Sequence, residues 1–224
     1  MLTAGRARED YVKAIYQLGD GAPIAAAALA RYLGISRAAI TKFRRVLERQ
    51  GLLKRASARA DRLDLTQRGH ALAVGMVRRH RLVETFLHRA LGLPLDEVHA
   101  QAEAIEHAIS DDVADRLERF LGNPQADPHG HPIVPRSARR ADATTSTLAD
   151  APAGSRVRIE VIPDRDPAIV RRLIARGVLP GLVAQVSTSD RRSVVLQSDA
   201  GRHSVPRATA AKIQVRIGPP RGRG

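Results

Sequence analysis

Residues 33–51 read LGISRAAITKFRRVLERQG, and they carry the clearest structural signal in the chain. Gly34 suits a tight turn, and Ser36 is a good N-cap for a helix over about residues 37–50 that Gly51 ends. Apolar side chains recur along this helix at spacings of three and four, at Ile40, Phe43, Val46 and Leu47. The stretch therefore predicts a turn followed by an amphipathic helix with one buried face.

The segments on either side of this helix complete a recognisable unit. Residues 9–18 (EDYVKAIYQL) have helical spacing of apolar side chains, and residues 24–33 predict a second, Ala-rich helix. Residues 52–65 (LLKRASARADRLDL) alternate in character and predict two short strands around a basic loop at 56–61. The order helix, helix, turn, helix, hairpin is that of a winged helix-turn-helix, which we assign to residues 1–71.

The middle of the chain is predicted to be entirely helical. Three further helices are expected, at residues 70–91, 96–108 and 111–121. Residues 92–94 (GLP) break the first of these from the second, and residues 122–135 form a Pro- and Gly-rich ordered loop. Together they define a second domain at residues 72–135.

The C-terminal part has a different pattern. Residues 136–154 are poor in apolar side chains and predict a flexible linker. Short β-type runs follow at 156–161, 183–188, 193–196 and 213–217, with one helix near 167–176. This pattern predicts an SH3-like β-barrel at residues 155–218 and a disordered tail at 219–224. The expected fold class is mainly α with a small β domain.

Composition excludes several classes of protein. The 224 residues include 43% hydrophobic residues, so the chain can bury a core. There is no Cys, which excludes disulfides, thiolate metal sites and a Cys nucleophile. The chain has no Trp and 3% aromatic residues, which argues against base stacking as the main way of binding nucleic acid. No apolar run is long enough to span a bilayer, so we expect a cytoplasmic protein without a membrane partner.

The net charge of +14 is unevenly distributed along the chain. Residues 1–75 carry 14 basic and 6 acidic side chains, and residues 134–224 carry 17 basic and 7 acidic ones. Residues 76–133 have 6 basic and 10 acidic side chains, so this segment alone is negative. A basic chain favours a polyanionic partner, whereas the acidic middle needs a separate explanation.

Double-stranded DNA is the expected partner of the basic N-terminal domain. A recognition helix presents its N-terminal turns to the major groove. The residues at these positions and on the wing that we expect to meet DNA are Ser36, Arg37, Ala38, Ala39, Thr41, Lys42, Arg45 and Arg59. Basic side chains reach guanine edges or phosphates, and the small ones allow close approach. The alternative is a solvated basic face used for protein contacts.

The acidic segment contains side chains with the spacing of metal ligands. On a helix, His99, Glu103 and His107 lie on one face and Glu106 lies beside them. His80 and Glu84 repeat the four-residue spacing on the preceding helix. Carboxylates and imidazoles without thiolates favour Mn²⁺ or Fe²⁺, although Zn²⁺ and Co²⁺ would also bind.

Each of these residues could also have a role that involves no metal. Glu and His pairs four residues apart are common on solvated helix faces, where they hold no metal. His129 and His131, in the loop sequence DPHGHP, are interpreted as parts of a structural loop rather than as ligands.

Four stretches together resemble the diphtheria toxin repressor family of metal-activated transcriptional repressors. They are EDYVKAIYQL (9–18), RRHRLVETFL (78–87), EVHAQAEAIEHAIS (97–110) and NPQADPHGHPI (123–133). With the winged helix-turn-helix they cover about residues 9–135, and the C-terminal domain resembles the family's only weakly. The resemblance implies a homodimer with two metal sites between its DNA-binding and dimerisation domains.

The resemblance also implies which residues hold the metals. One site would use Asp10, Glu103, Glu106 and His107; the other would use His80, Glu84 and His99, with Asp166 as a candidate from the C-terminal domain. Iron-type members have Met and Cys where this chain has Asp10 and Glu103, so the hard oxygen ligands resemble the manganese-responsive branch. Some manganese regulators have Glu three residues after the first-helix Asp, and Lys13 at that position argues against their binuclear site.

The function implied by the resemblance is repression controlled by metal. The metal, most simply Mn²⁺, would be a corepressor that fixes the two recognition helices of a dimer on an operator and shuts off metal-uptake genes. The alternatives are a repressor of the same family that responds to Fe²⁺, a winged-helix regulator without metal, a metallohydrolase and a protein-interaction module. The chain lacks HExxH and a nucleophile constellation, so we do not expect an enzyme.

Overall fold

The structure is a computed structural model that describes residues 4–55, 61–133 and 146–218. The chain divides into two compact units, each built from segments that are distant in sequence. Among the described residues, the first unit contains 4–55, 61–80 and 106–114, and the second contains 81–105, 115–133 and 146–218. In these described ranges, none of the helices combines the length and apolar character that a membrane crossing requires.

The first unit is a bundle of helices with a small sheet. Its helices are α1 (Ala4–Gly19), α2 (Ala26–Leu33), α3 (Arg37–Arg49) and the first part of α4 (Gln67–Arg89), followed by a 3-10 turn (Glu106–Ala108) and the start of α6 (Asp111–Phe120). Its strands are β1 (Ile24–Ala25) and β2 (Arg62–Leu63), which pair antiparallel. The largest fully buried side chains here include Ile15, Leu29, Leu47 and Leu63.

The predicted helix over 24–33 begins later than expected. Ile24 faces Leu63 across the small sheet, so the backbone at 24–25 is extended and α2 starts at Ala26. A bridge between Leu53 and Leu65 marks the base of the predicted hairpin. The tip of the wing at 56–60, which includes the predicted DNA contact Arg59, lies outside the described residues.

The turn before the recognition helix has the predicted chemistry. Gly34 adopts φ +66°, a left-handed conformation that glycine tolerates without steric cost, and it caps α2. Ser36 caps α3, since its Oγ accepts a hydrogen bond from the Ala39 backbone N at 3.2 Å. Behind α3, Phe43 stacks on Tyr11 of α1 with ring centroids 3.9 Å apart. These contacts fix the helix against the unit through its apolar side.

The second unit joins helices to an antiparallel sheet. Its helices are the rest of α4, α5 (Val98–Ile105), most of α6, α7 (Pro167–Ala175) and α8 (Arg207–Ala210). Its strands are β3 (Ser146–Thr147), β4 (Arg156–Val161), β5 (Val183–Ser189), β6 (Ser193–Ser198), β7 (Gly201–Pro206) and β8 (Gln214–Gly218), in the spatial order β3-β8-β4-β5-β6-β7. Alternating side chains of these strands form one buried core.

The part of the second unit at residues 146–218 differs from the sequence prediction in three places. No ladder joins the outer strands β3 and β7 among the described residues, so the expected barrel is seen as a six-stranded sheet. Strand β7 (GRHSVP) was not predicted, because its sequence is polar and ends in proline. Residues 146–154 belong to the predicted linker, yet Leu148 is fully buried in the core. The rest of that linker and the predicted tail lie outside the described ranges.

Candidate functional site

His107 is the centre of a polar cluster in the first unit. It lies in the 3-10 turn after α5, and its ring is held between two carboxylates of α1. The Nδ1 atom lies 2.7 Å from Glu9 Oε2, and the Nε2 atom lies 2.8 Å from Asp10 Oδ1 and 3.6 Å from Glu106 Oε1. The structure thus brings Asp10, Glu106 and His107 together, three of the four ligands that the resemblance implies for one site.

The cluster has the chemistry of a divalent-cation site. Asp10, Glu106 and His107 each offer a ligand atom within 4.8 Å of the others. His107 Nε2 is buried and makes no hydrogen bond of good geometry to any residue that the structure describes. If the Nδ1–H of His107 donates to Glu9, Nε2 is the ring atom left to bind a cation beside the two other carboxylates. Oxygen and imidazole donors in this arrangement fit Mn²⁺, Fe²⁺ or Zn²⁺.

Glu106 is the most buried member of the cluster. Its side chain is fully buried, and its carboxylate contacts Lys13 Nζ at 2.8 and 2.9 Å and His80 Nδ1 at 2.5 Å. Burial alone would raise the pKa of Glu106, but the hydrogen bonds and positive charge of His80 and Lys13 outweigh it and lower the pKa below its ordinary value. Glu106 is therefore a carboxylate at neutral pH.

The helix α5 ends before His107, so His99 and His107 do not share the helix face that the sequence pattern predicted. The α-helix stops at Ile105, and residues 106–108 continue as a 3-10 turn. Each residue of a 3-10 turn advances further around the axis than in an α-helix, so His107 does not continue the face of His99. Glu103 lies on α5 with 40% of its side chain exposed and its Oε1 3.8 Å from His99 Nε2. The structure places His99 and His107 in different groups.

A second group surrounds Glu84 in the second unit. Glu84 is fully buried on α4, and its Oε1 lies 2.9 Å from His99 Nδ1, which lies 3.7 Å from Asp164 Oδ2. Glu84, His99 and Asp164 offer ligand atoms within 4.8 Å of one another. His80 precedes Glu84 by one turn of α4, as predicted.

Asp166, the predicted ligand from the C-terminal domain, has another role in the structure. It is the N-cap of α7, where its Oδ1 accepts hydrogen bonds from the backbone N atoms of Ala168 and Ile169 at 3.0 and 3.2 Å. The carboxylate that the structure brings to Glu84 and His99 is Asp164, two residues earlier. Sequence spacing alone gave no means of choosing between two aspartates in PDRDP.

The DPHGHP loop is also closer to this group than the sequence analysis assumed. His129 is fully buried, with its Nδ1 3.3 Å from Glu84 Oε2 and its Nε2 3.1 Å from the Leu95 carbonyl oxygen. Glu84, Asp127 and His129 form a third set of ligand-type atoms, all buried. The loop has a structural role as well, because Asp127 Oδ1 accepts from the backbone N atoms of His129 and His131. The signal available from sequence was the DxHxH spacing itself.

In the group around Glu84, as at Glu106, burial and the neighbouring charged groups shift each pKa in opposite directions. Burial would lower the pKa of His129, but the hydrogen bond and charge of Glu84 raise it. Burial likewise would lower the pKa of His131, and Asp127 raises it. Burial would raise the pKa of Asp164, whereas the nearby imidazoles lower it. In this group the imidazoles therefore supply positive charge that balances the carboxylates, and a cation bound through them would displace their protons.

The exposed side of α3 matches the predicted DNA-contact surface. The side chains of Arg37, Ala38, Thr41, Lys42 and Arg45 are exposed and follow one stripe along the helix, beginning at the exposed N-cap Ser36, with Ala39 half-buried beside them. Thr41 donates its hydroxyl to the Arg37 carbonyl oxygen at 3.0 Å, so its methyl group is the part left to face outward. Arg44 is different, because it is paired with Glu48 at 2.8 Å.

Comparisons with known families agree with these features. Residues 66–135 match the family described as iron dependent repressor, metal binding and dimerisation domain, and residues 146–217 match the FeoA domain. The chain is 35% identical over 202 residues to the iron-dependent repressor IdeR of Mycobacterium leprae, covering 84% of this chain and 86% of that protein. It is 36% identical over 126 residues to the diphtheria toxin repressor of Corynebacterium diphtheriae, covering 56% of this chain and 55% of that protein.

Solved structures with manganese and zinc also resemble this chain. A manganese-dependent transcriptional repressor in complex with manganese superposes with a TM-score of 0.83 and 31% identity, covering 93% of this chain and 99% of that one. A crystal structure of ScaR with bound Zn²⁺ superposes with a TM-score of 0.78 and 28% identity, covering 93% of this chain and 98% of that one. One of these relatives is called iron-dependent, another is called manganese-dependent and a third was solved with zinc, so the likeness does not select one metal.

Proposed function

Because this chain belongs to the iron-dependent repressor family, whose members include the diphtheria toxin repressor and are metal-dependent transcriptional repressors, we propose that it represses metal-homeostasis genes with Mn²⁺ as corepressor. Membership in a family of repressors sets aside the metallohydrolase and the metal-independent regulator. The observation that carries the proposal is His107 Nε2, buried without a hydrogen bond and facing Asp10 and Glu106.

The preference for manganese rests on the donor atoms. Asp10 and Glu103 supply carboxylates, and the chain has no Cys, so a soft sulfur ligand set is unavailable from thiolates. We assign Asp10, Glu106 and His107 to this site, with Glu9 as the residue that orients His107; Glu103 remains the fourth ligand that the resemblance implies. An Fe²⁺-responsive repressor is the second candidate, because the iron-dependent repressors are relatives at 35% identity.

A bound ion would supply a positive charge that holds α1 to the turn at 106–108. Within the first unit, Asp10 is followed directly by Tyr11, whose ring stacks on Phe43 of α3. The position of Asp10 is therefore coupled through one residue to the helix that carries the DNA-contact surface. A metal that binds the DNA-competent arrangement more tightly shifts the population toward it.

We place the second metal site around Glu84. The ligands proposed from sequence were His80, Glu84 and His99, and Asp164 replaces Asp166 as the carboxylate of the C-terminal domain. Asp127 and His129 are further candidates, because they lie within ligand distance of Glu84. These donors are oxygen and imidazole, so the site suits the same ions as the first, including Zn²⁺ or Co²⁺ in vitro.

A homodimer on double-stranded DNA, in the cytoplasm, is the functional form that we propose. In the second unit, Leu91 is 56% exposed and Phe120 is 70% exposed, and such apolar side chains suit the dimerisation surface of the matched family. The proposed domains are residues 1–71 for DNA and 72–135 for metal and dimer formation, and the SH3-like domain, predicted at 155–218, is extended to begin at residue 146.

Operator binding with controlled metal tests the proposed function. The metal-loaded chain would select its operator from random-sequence DNA, and the affinity would then be measured with chelator and with Mn²⁺, anaerobic Fe²⁺ or Zn²⁺. We expect the strongest gain in affinity at the lowest free concentration for Mn²⁺. Equal affinity with chelator and with every metal would contradict the corepressor role, and a gain at lower concentration with Fe²⁺ would identify the second candidate.

Alanine at Asp164 and at Asp166 distinguishes ligand from helix cap. Asp164→Ala is expected to weaken metal binding at the Glu84 site by about tenfold or more, because it removes an oxygen next to His99. Asp166→Ala is expected to leave metal affinity unchanged and to cost about 0.5–2 kcal/mol of stability through the lost cap. Isothermal titration with Mn²⁺ and thermal unfolding in chelator measure the two effects. The reverse pattern would restore Asp166 as the ligand.

A further inference from the structure

One face of the C-terminal sheet carries a group of exposed arginines. Arg156 and Arg158 alternate with the buried residues Val157 and Ile159 along β4, so both arginines lie on the side of the sheet away from the core. Arg216 of β8 is directly opposite Arg158 in the antiparallel register, and its side chain therefore lies on the same side. We call these three residues the arginine face.

The chain neutralises the arginine face only in part. The side chains of Arg158 and Arg216 are 61% and 71% exposed, and they share one carboxylate oxygen, Glu160 Oε1, which lies 3.8 Å and 3.4 Å from their Nε atoms. Among the residues that the structure describes, no carboxylate lies within ion-pair distance of Arg156. Like charges directly opposite each other destabilise a sheet, so a bound anion would relieve the repulsion between Arg158 and Arg216.

Uncharged polar side chains continue this surface across the sheet. Gln185 of β5 is opposite Arg156, and Gln197 of β6 is opposite Gln185, so both exposed amides lie in one row with Arg156. Arg202 of β7 ends the row, but it is three strand spacings, about 14 Å, from Arg156 and is not part of the arginine face. Arginine and glutamine side chains both donate hydrogen bonds to the phosphates of nucleic acids.

The composition of this part of the chain narrows the choice of partner. Residues 146–218 contain 12 basic and 6 acidic side chains and no Phe, Tyr or Trp. Without aromatic side chains this region lacks the platforms on which the bases of a single strand stack. Binding in a membrane surface requires a broad apolar face, whereas the large apolar side chains exposed on the described strands are Val183 and Ile217, each 39% exposed.

Duplex DNA matches the charge and the chemistry of the arginine face. Its phosphates are closely spaced and are reached without insertion of apolar groups or unstacking of bases. The planar guanidinium group of arginine can donate two parallel hydrogen bonds to one phosphate. Charge complementarity therefore favours the phosphates of a duplex as the occupant of this surface.

We propose that the arginine face is a second DNA-contact surface, which binds the phosphates of duplex DNA without regard to sequence. The inference rests on the proposed function, in which the chain is a DNA-binding repressor. Helix α3, in the first unit, would read the operator, and the arginine face, in the second unit, would add affinity that does not depend on sequence. This surface gives a role to the positive charge of the C-terminal region, which neither the metal sites nor α3 requires.

Substitution of the three arginines in the full, Mn²⁺-loaded chain tests the proposal. The variant Arg156→Gln, Arg158→Gln, Arg216→Gln removes the charges and keeps polar side chains. Its affinity for a duplex that contains the operator with long flanks, and for an unrelated duplex of the same length, would be measured by fluorescence anisotropy over a range of salt concentrations. We expect a loss of about tenfold or more on both duplexes at low salt. The slope of log affinity against log salt should become smaller by about two to three, since each lost phosphate contact removes about one.

Two further variants control for net charge and for folding. The variant Arg172→Gln, Arg176→Gln, Lys212→Gln removes the same charge from exposed positions of the second unit, and its two arginines lie on α7, which packs Leu173 into the core on the other side of the sheet. It should keep the wild-type slope. The variant Arg156→Lys, Arg158→Lys, Arg216→Lys retains the charge and should retain most of the slope. All the substituted side chains are exposed, so the thermal unfolding temperature should change little in any variant.

Each contradictory result has its own meaning. An unchanged slope in the glutamine variant of the arginine face, or an equal fall in the control, would overturn this inference and leave the proposed function intact. Weaker binding to the operator alone would contradict contacts that ignore sequence. A glutamine variant that keeps its DNA affinity but loses binding to phosphatidylserine vesicles would assign the face to membranes instead. A metal-loaded wild type that binds no duplex would overturn the proposed function, and this inference with it.

Discussion

Replacing Asp10 with alanine is expected to abolish the metal-induced gain in operator affinity. In wild type, we expect Mn²⁺ to raise operator affinity about 5–150-fold, which is the usual size of coupling between two binding sites. Asp10 Oδ1 lies 2.8 Å from His107 Nε2, and it is the α1 ligand in the cluster. Without it, an ion would no longer join α1 to the turn at 106–108, so metal would have nothing to transmit to α3.

The fold is expected to survive this change, because the Asp10 side chain is 29% exposed and its helix is anchored by Val12 and Ile15 in the core. Fluorescence anisotropy of a labelled operator, with chelator and with Mn²⁺, measures the gain. Asp199→Ala, which removes an exposed carboxylate from the other unit, is the matched control and should keep the full gain. An Asp10→Ala chain that responds to Mn²⁺ like wild type would remove Asp10 from the ligand set.

The double variant Lys42→Ala, Arg45→Ala is expected to lose operator binding by about two orders of magnitude or more, with metal present. Each side chain is exposed on the outer stripe of α3. A basic side chain bound to a guanine edge contributes about 1–3 kcal/mol, whereas the loss of one bound to phosphate reduces the slope of log affinity against log salt by about one. Both residues face away from the core, so stability should change little.

Salt dependence and sequence preference together distinguish contacts to bases from contacts to phosphates. Loss of a base contact should relax sequence preference at one position, whereas loss of a phosphate contact should weaken all sequences alike. Arg202→Ala removes one positive charge from exposed β7, and it controls for net charge in a comparison with the single variant Lys42→Ala. If Arg202→Ala weakened the operator as much as Lys42→Ala, α3 would not be the recognition element.

Signals from neighbouring residues in the sequence predicted the turn and the helix cap of the first unit well. Gly34 and Ser36 determine a turn and a cap by their own backbone chemistry, and both have these roles in the structure. The start of α2 was misplaced because Ile24 pairs with Leu63, a contact 39 residues away that no local pattern contains. Features set by neighbouring residues could therefore be predicted from the sequence, whereas pairing between distant residues could not.

The proposed metal ligands also show that local sequence pattern does not predict which distant residues meet. The spacing from His99 to His107 predicted a single face, but the change to a 3-10 turn at Glu106 divides the ligands into two groups. Asp164 could not be preferred to Asp166, because the choice depends on where α7 begins. The contact between Lys13 and Glu106 could not be predicted from local pattern, since it joins residues 93 positions apart in the chain.

The stacked pair of Tyr11 and Phe43 has an optical consequence. The chain has no tryptophan, and its three tyrosines, Tyr11, Tyr16 and Tyr32, all lie in the first unit. Burial raises the pKa of Tyr11, so its phenol keeps its proton under ordinary conditions and remains an emitter of tyrosine fluorescence. Intrinsic tyrosine emission from this protein is thus a signal from the first unit only, and one of its sources, Tyr11, adjoins both Asp10 and α3.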